Sequence, residues 1–260
     1  PTDASCFQFS DGYVVVDPIG STYPVGLEVY DAAGGLATSS SNVFGIDTLG
    51  GLSQGTYSVT VTDGVGCQTS LNFDIDHPTL LETNARHTDI LCNGDDNGTA
   101  AASPAGSVAP YQLQWSDPLQ QTTDSISFLP PGAYTLTVTD AQGCVADTTI
   151  TVVEPLPLIL DITAGADTCL YRNGAVRAEM QGGVTPYEYV WSNIGGDSTN
   201  FEMYEINYTY SQISNLPYGN YSLVVTDTNG CEIEGGAEVE LLTPPNASFL
   251  SRSKPQEFTD

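Results

Sequence analysis

Positive charge is nearly missing from this chain: 5 Lys and Arg stand against 32 Asp and Glu, a formal charge of −27. Each phosphate contact to DNA, RNA or an anionic membrane takes a Lys or Arg, so a surface like this repels nucleic acid and anionic membranes. No apolar stripe at helical spacing persists for two turns, and no apolar run approaches the roughly 18 residues of a membrane-spanning helix. Neither a helical fold nor membrane insertion is expected. Histidine occurs only at His77 and His87, flanking one linker, and no nucleophile with a matching base recurs. Adjacent carboxylates such as Asp95 and Asp96 point in different directions from a turn and set no defined gap for glycoside chemistry. The chain reads as a non-enzyme. It also shows no signal peptide and begins at Pro1, and is expected to be a segment of something longer.

What is abundant is repetition. Gly55-Thr-Tyr-Ser-Val-Thr-Val-Thr-Asp-Gly-Val-Gly-Cys67 returns as Gly132-Ala-Tyr-Thr-Leu-Thr-Val-Thr-Asp-Ala-Gln-Gly-Cys144 and as Gly219-Asn-Tyr-Ser-Leu-Val-Val-Thr-Asp-Thr-Asn-Gly-Cys231. The closing cysteines lie 77 and 87 residues apart, too far for solenoid units and suited to small domains with their own cores. A domain of this size buries only about 60% of its unfolded surface, so covalent reinforcement matters.

Six cysteines offer that reinforcement. Cys6, Cys92 and Cys169 precede Cys67, Cys144 and Cys231 by 61, 52 and 62 residues, two per repeat. Of the fifteen connectivities, the expected one pairs Cys6 with Cys67, Cys92 with Cys144 and Cys169 with Cys231, giving every repeat the same internal bond. Zinc is disfavoured by the lack of any Cys-x-x-Cys. Persistent disulfides place the chain in an oxidising setting: extracellular, cell surface or periplasm.

In each copy apolar residues alternate with Ser and Thr, the pattern of half-buried antiparallel strands. Asp-x-x-Gly then supplies turn chemistry, with Gly66, Gly143 and Gly230 free to take positive φ before the cysteine opens the last strand. Each last strand runs toward a proline, Pro78, Pro155 or Pro244, so linkers are short and stiff. Gly98–Ala102, Tyr111–Trp115 and Asp124–Leu129 read as further strands, six or seven per repeat. The expected fold is all-β: three immunoglobulin-like β-sandwich modules, each with one internal disulfide, at residues 1–79, 80–155 and 156–245, with 246–260 a linker or the start of another module. Trp115 and Trp191 are expected to plug the cores; the first repeat carries Val29 there. The repeated tyrosine lies ten residues before the cysteine rather than two, so the antibody-type tyrosine corner is not expected, nor the antibody strand topology.

Cys92-Asn-Gly-x-x-Asn-Gly98, Pro110-Tyr111 through Trp115-Ser116, and Leu129-x-x-Gly-x-Tyr-x-x-x-Val-Thr-Asp-x-x-Gly-Cys144 together resemble the SprB-type repeat of Bacteroidota surface proteins and gliding-motility adhesins. The resemblance covers roughly residues 80 to 244; the first repeat keeps only its second half. It implies an exported, cell-attached adhesive or filamentous protein moved by type IX secretion, with other modules of the same chain, surface polysaccharide or neighbouring filament chains as partners.

The acidity is even, about −9, −8 and −10 over the three repeats, and suits a solvated, self-repelling surface. Calcium is the candidate cofactor. Asp74 and Asp76 near the first junction and Glu154 near the second could offer hard oxygen ligands. Asn93-Gly-Asp95-Asp-Asn97-Gly98 has the opening marks of an EF-hand loop, but Pro104 occupies the position of the bidentate carboxylate, and a turn on Asn97-Gly98 explains the string more simply. Tyr204, Tyr208 and Tyr210, in an insertion peculiar to the third repeat, are candidate ligand contacts, against the plainer reading of a longer hairpin. Thr48 and Ser125, each in an Asp-Thr/Ser-apolar tripeptide, are candidate O-glycosylation sites.

Overall fold

A computed structural model describes residues 1–194, 202–207 and 209–244, with the side chains of 194 and 202–204 excepted. The described residues contain strands, turns and loops and no helix. By internal contacts the chain divides into two compact units, Pro1–Asp89 with Asn97–Val153, and Ile90–Asp96 with the residues from Glu154 onward.

The first unit holds two sets of strands. The first set is β1 (Gly12–Val16), β2 (Val25–Asp31), β3 (Leu36–Val43), β4 (Asp47–Leu52), β5 (Gly55–Thr62) and β6 (Gln68–Ile75). They form sheets ordered β1-β4 and β3-β2-β5-β6. The second set is β7 (Arg86–Thr88), β8 (Gly98–Ala101), β9 (Gln112–Trp115), β10 (Ser125–Leu129), β11 (Gly132–Thr139) and β12 (Val145–Val152), in sheets β10-β8-β7 and β12-β11-β9. The second unit contributes β13 (Ile159–Gly165), β14 (Asp167–Thr168), β15 (Gly174–Gln181), β16 (Tyr187–Ile194), β17 (Glu202–Asn207), β18 (Tyr210–Leu216), β19 (Gly219–Thr226), β20 (Glu232–Val239) and β21 (Leu241–Leu242). Its sheets are β13-β15-β18 and β17-β16-β19-β20, with a short parallel pair β14-β21.

This is the immunoglobulin-like arrangement: the strand that follows Cys6, Cys92 or Cys169 pairs with the one before the Gly-x-Tyr strand, and the strand of Val29, Trp115 or Trp191 pairs with the Gly-x-Tyr strand in the facing sheet. The topology is therefore closer to the antibody type than the tyrosine spacing implies. Alternation along β5, β11 and β19 places Tyr57, Tyr134 and Tyr221 with Val59, Leu136 and Leu223 on the buried face. Opposite them lie Val29, Trp115 and Trp191, at most 1% exposed, paired with Val59, Leu136 and Leu223. Trp115 donates its indole N–H to the Thr123 carbonyl at 3.0 Å and Trp191 to Ser211 Oγ at 2.9 Å, so each large apolar plug carries a satisfied polar edge. Valine replaces the indole in the first repeat. There Phe73, in the strand position of Ile150 and Ala237, stacks on Tyr57 at 5.7 Å and restores core volume.

Each Gly-x-Tyr tyrosine also hooks back on the chain. The hydroxyls of Tyr57, Tyr134 and Tyr221 donate to the carbonyls of Ser53, Pro130 and Pro217, four residues upstream, at 3.0, 2.8 and 2.9 Å. A tyrosine corner is thus present, moved to the start of the strand. Just before each hook the pairing register slips and one residue takes positive φ: Gly51 (81°), Phe128 (59°) and Asn215 (60°). The bulge keeps Leu52, Leu129 and Leu216 buried. Glycine and asparagine suit the left-handed region, whereas phenylalanine there costs about 1–2 kcal/mol, and Phe128 is 82% exposed, so it recovers little by packing. Phe128→Asn is expected to raise unfolding free energy by about 0.5–1 kcal/mol in urea titrations; unchanged or lowered stability would show that the ring contributes to packing.

Candidate functional site

The residues that recur with the most constant geometry surround the cysteines. In the turns between β5 and β6, β11 and β12, and β19 and β20, an aspartate organises the backbone identically. Asp63 Oδ1 accepts the N–H of Val65 and Cys67 at 3.1 and 2.8 Å, Asp140 Oδ1 those of Gln142 and Cys144 at 2.8 Å each, and Asp227 Oδ1 those of Asn229 and Cys231 at 2.8 and 2.9 Å. The aspartate N–H closes the turn on the cysteine carbonyl in all three. Gly66, Gly143 and Gly230, at φ 90°, 85° and 84°, supply the left-handed residue that this turn requires.

The loop cysteines precede β1, β8 and β15. Ser5 N–H donates to Asp11 Oδ1 at 2.9 Å, and Thr168 N–H to Asn173 Oδ1 at 2.7 Å, so the residue before the cysteine is clamped by the residue before the strand-opening glycine. Those glycines have no room for a side chain: a Cβ on Gly12 would lie 2.6 Å from Ile75, and one on Gly174 would collide with Val239.

The cysteines do not pair within repeats. Cys6 is bonded to Cys144, with Cα atoms 5.7 Å apart, and Cys92 to Cys231, with Cα atoms 5.5 Å apart. Cys67 and Cys169 carry free, exposed thiols. The expected Cys6–Cys67, Cys92–Cys144 and Cys169–Cys231 bonds are prevented by strand length. Ala4 N–H donates to the Asp76 carbonyl, just past β6, whereas Cys67 stands at the start of β6. Asp167 and Cys169 likewise bond Glu240 and Leu242 past the end of β20, whose start follows Cys231. In the second repeat Asp89 Oδ1 accepts from Val153 past the end of β12. The two cysteines of a repeat thus sit at opposite ends of an eight-residue strand. That is about 26 Å at about 3.3 Å per residue, against a disulfide limit near 7 Å.

Each bond therefore joins the opening loop of one repeat to the last turn of the next. Cys6–Cys144 lies wholly in the first compact unit. Cys92–Cys231 lies wholly in the second, because the loop 90–96 of the second repeat belongs by its contacts to the unit of the third. The seating is the same in both: Cys144 Sγ lies 3.3 Å from the Ser5 carbonyl oxygen and Cys231 Sγ 3.3 Å from that of Leu91. Around Cys92, Glu154 Oε2 accepts the N–H of Gly94 at 2.8 Å and Asn93 Nδ2 donates to the Pro155 carbonyl at 3.0 Å.

The other candidate residues are dispersed. Asp74 accepts from Thr56 Oγ1 at 2.7 Å, and Asp76 Oδ1 from Gln54 Nε2 and from the His77 N–H at 3.0 and 2.8 Å. Asp95 and Asn97 lie on the loop that carries Cys92, where Asp95 N–H donates to the Cys92 carbonyl, and Glu154 is engaged with Gly94. Among the described residues no group of three or more His, Cys, Asp or Glu converges. The Asn97-Gly98 dipeptide ends a long loop between β7 and β8 rather than forming a tight hairpin. Thr48 and Ser125 are both exposed and occupy corresponding strands, β4 and β10. Tyr210 is 41% exposed with the Arg177 guanidinium 4.2 Å from its ring centre. The side chain of Tyr204, and Tyr208 altogether, lie outside the described residues.

Residues 84–120 match the SprB repeat family. No curated protein matches the chain. Among solved structures it is similar to Sidekick-1 immunoglobulin domains 1–5 (13% identity, 94% of this chain and 58% of that one, TM-score 0.40). It is similar also to the mouse nectin-like molecule 4 ectodomain Ig1–Ig3 (10% identity, 96% and 100%, TM-score 0.37) and to a tetra-tandem repeat in the extending region of a large adhesion protein (15% identity, 92% and 72%, TM-score 0.34). The chain spans 58% of the Sidekick-1 structure.

Asp140 is the turn aspartate whose titration bears on the staple. Burial favours its neutral form, but bonds from Ser107 Oγ and the N–H groups of Cys144, Val108 and Gln142 outweigh this and hold the carboxyl below its ordinary 3.8. A depressed folded-state pKa gives stability that is complete above the unfolded value and is lost as pH falls through the folded one. Asp140→Asn is therefore expected to cost about 1.5–3 kcal/mol at pH 7, with the gap to wild type narrowing in melts below pH ~3.8; a gap independent of pH would contradict the ionised clamp.

Proposed function

We propose that this chain is a spacer segment of an exported bacterial cell-surface adhesin, a stalk of three sandwich modules at 1–79, 80–155 and 156–245 that carries an adhesive tip away from the cell. The observation that carries this reading is that both disulfides join one repeat to the next. A bond inside a repeat protects a module; a bond between repeats protects the joint. With Cys6–Cys144 and Cys92–Cys231 in place, the shortest covalent path between the chain ends runs through residues 1–6, 92–144 and 231–260. Tension then stretches the chain to about 300 Å at most, against about 900 Å when reduced, at about 3.5 Å per residue. The linkers at 76–79 and 153–158 lie on parallel branches and are relieved of load.

The SprB repeat at 84–120 supports placement in a Bacteroidota surface protein, with type IX export and gliding or adhesion as its setting. The uniform acidity supports a surface that stays solvated outside the cell and repels its neighbours. A ligand-binding role for the third repeat is less well supported, since Arg177 already covers one described candidate ring, that of Tyr210.

The test is adhesion under flow. Cells whose surface protein carries Cys6→Ser, Cys92→Ser, Cys144→Ser and Cys231→Ser are expected to bind a substratum at rest as wild type does and to detach at lower shear. Loss of binding at rest would assign ligand contact to this segment and contradict the spacer reading.

A further inference from the structure

Cys67 and Cys169 are one cysteine of each kind, and both are exposed thiols in places where the chain elsewhere carries a bond. Cys67 sits in the same turn as Cys144 and Cys231, with the same aspartate clamp, the same backbone closure and the same left-handed glycine. Cys169 sits in an opening loop clamped as that of Cys6 is, Thr168 on Asn173 matching Ser5 on Asp11. The bonded pairs obey one rule twice over: a turn cysteine takes the loop cysteine of the repeat before it, at separations of 138 and 139 residues. The rule gives Cys67 no loop cysteine and Cys169 no turn cysteine within residues 1–260.

We propose that Cys67 and Cys169 continue the disulfide ladder and that each is a covalent docking site for another module of this same kind. Cys67 receives a loop cysteine and Cys169 receives a turn cysteine, so joining is head to tail. A heterologous contact of this type propagates into a chain of modules instead of closing on itself as a two-fold pair. The partner is identified by its chemistry: an Asp-x-x-Gly-Cys turn for Cys169, and for Cys67 a loop whose pre-cysteine carbonyl oxygen can lie against the incoming sulfur at the 3.3 Å seen in both bonds. In the oxidative step a small-molecule disulfide such as oxidised glutathione is the electron acceptor. One module's thiolate attacks it and releases one glutathione thiol; the second module's thiolate displaces the other. The two modules lose two protons and two electrons, one S–S bond forms between them, and two glutathione thiols leave. The inference rests on the pairing rule alone and stands whether or not the segment serves as a stalk.

The test uses two copies of this chain. Cys67→Ser keeps only the open loop cysteine and Cys169→Ser only the open turn cysteine, and both retain the Cys6–Cys144 and Cys92–Cys231 bonds. In a glutathione redox buffer each variant alone is expected to remain monomeric on a non-reducing gel. Their equimolar mixture is expected to give at least about tenfold more covalent dimer, as an order-of-magnitude preference for the seated pair, and peptide mapping is expected to show Cys67 of one copy bonded to Cys169 of the other. Dimers of either variant alone at the yield of the mixture would overturn the head-to-tail rule. A mixture that stays monomeric would overturn the docking sites.

Discussion

The arrangement depends on an aspartate that holds a cysteine at the tip of a hairpin. Three N–H groups and one carbonyl in each turn are committed by Asp63, Asp140 or Asp227, so the cysteine Cα is placed by hydrogen bonds before any sulfur chemistry occurs. A disulfide tolerates only a narrow range of Cα separation. The pre-set turn brings its cysteine within that range of the opening loop, at 5.7 and 5.5 Å, and the bond forms between repeats because the core has placed the two cysteines of one repeat at opposite ends of its last strand. Turn, strand and staple form one causal sequence.

The staple also changes what each core must supply. A sandwich of about 80 residues is marginal on burial alone. Loops of 138 and 139 residues, closed covalently, lower the entropy of the unfolded ensemble by an amount worth roughly 4–5 kcal/mol each in the chain-entropy view. Because each closed loop contains parts of two repeats, that gain is shared between them, and unfolding of neighbours is coupled through the unfolded state. The tyrosine hooks, the indole hydrogen bonds and the close approach at Gly12 and Gly174 then select one packing inside each repeat.

Much of this was legible in the residues. Period-two alternation located β5, β11 and β19, Asp-x-x-Gly located the turns with their positive-φ glycines, and Trp115 and Trp191 were readable as core. The pairing of the cysteines was not, for a physical reason. In a tandem array, bonding within a repeat and bonding to the next leave the same periodic pattern, and counting cannot separate them. The discriminating signal lay in distance: eight residues from Cys67 to the end of β6 already exceed disulfide reach once the opening loop is known to pair with that end. That last fact depends on backbone bonds such as Ala4 to Asp76, which leave no mark in residue identity. The displaced tyrosine corner escaped for a similar reason, since its acceptor is a main-chain carbonyl. Composition shows the charge of the acidic residues near the junctions and not their partners; Asp76 and Glu154 each accept a bond from a backbone N–H group.

Cutting the chain at a joint measures the central claim most directly. With a single protease site inserted between His77 and Pro78, the cleaved, oxidised protein is predicted to run as one species of full mass and to separate into two fragments only on reduction, because Cys6–Cys144 spans the cut. Two fragments that part without reductant would mean that the cysteines bond within their own repeats, and would contradict the account.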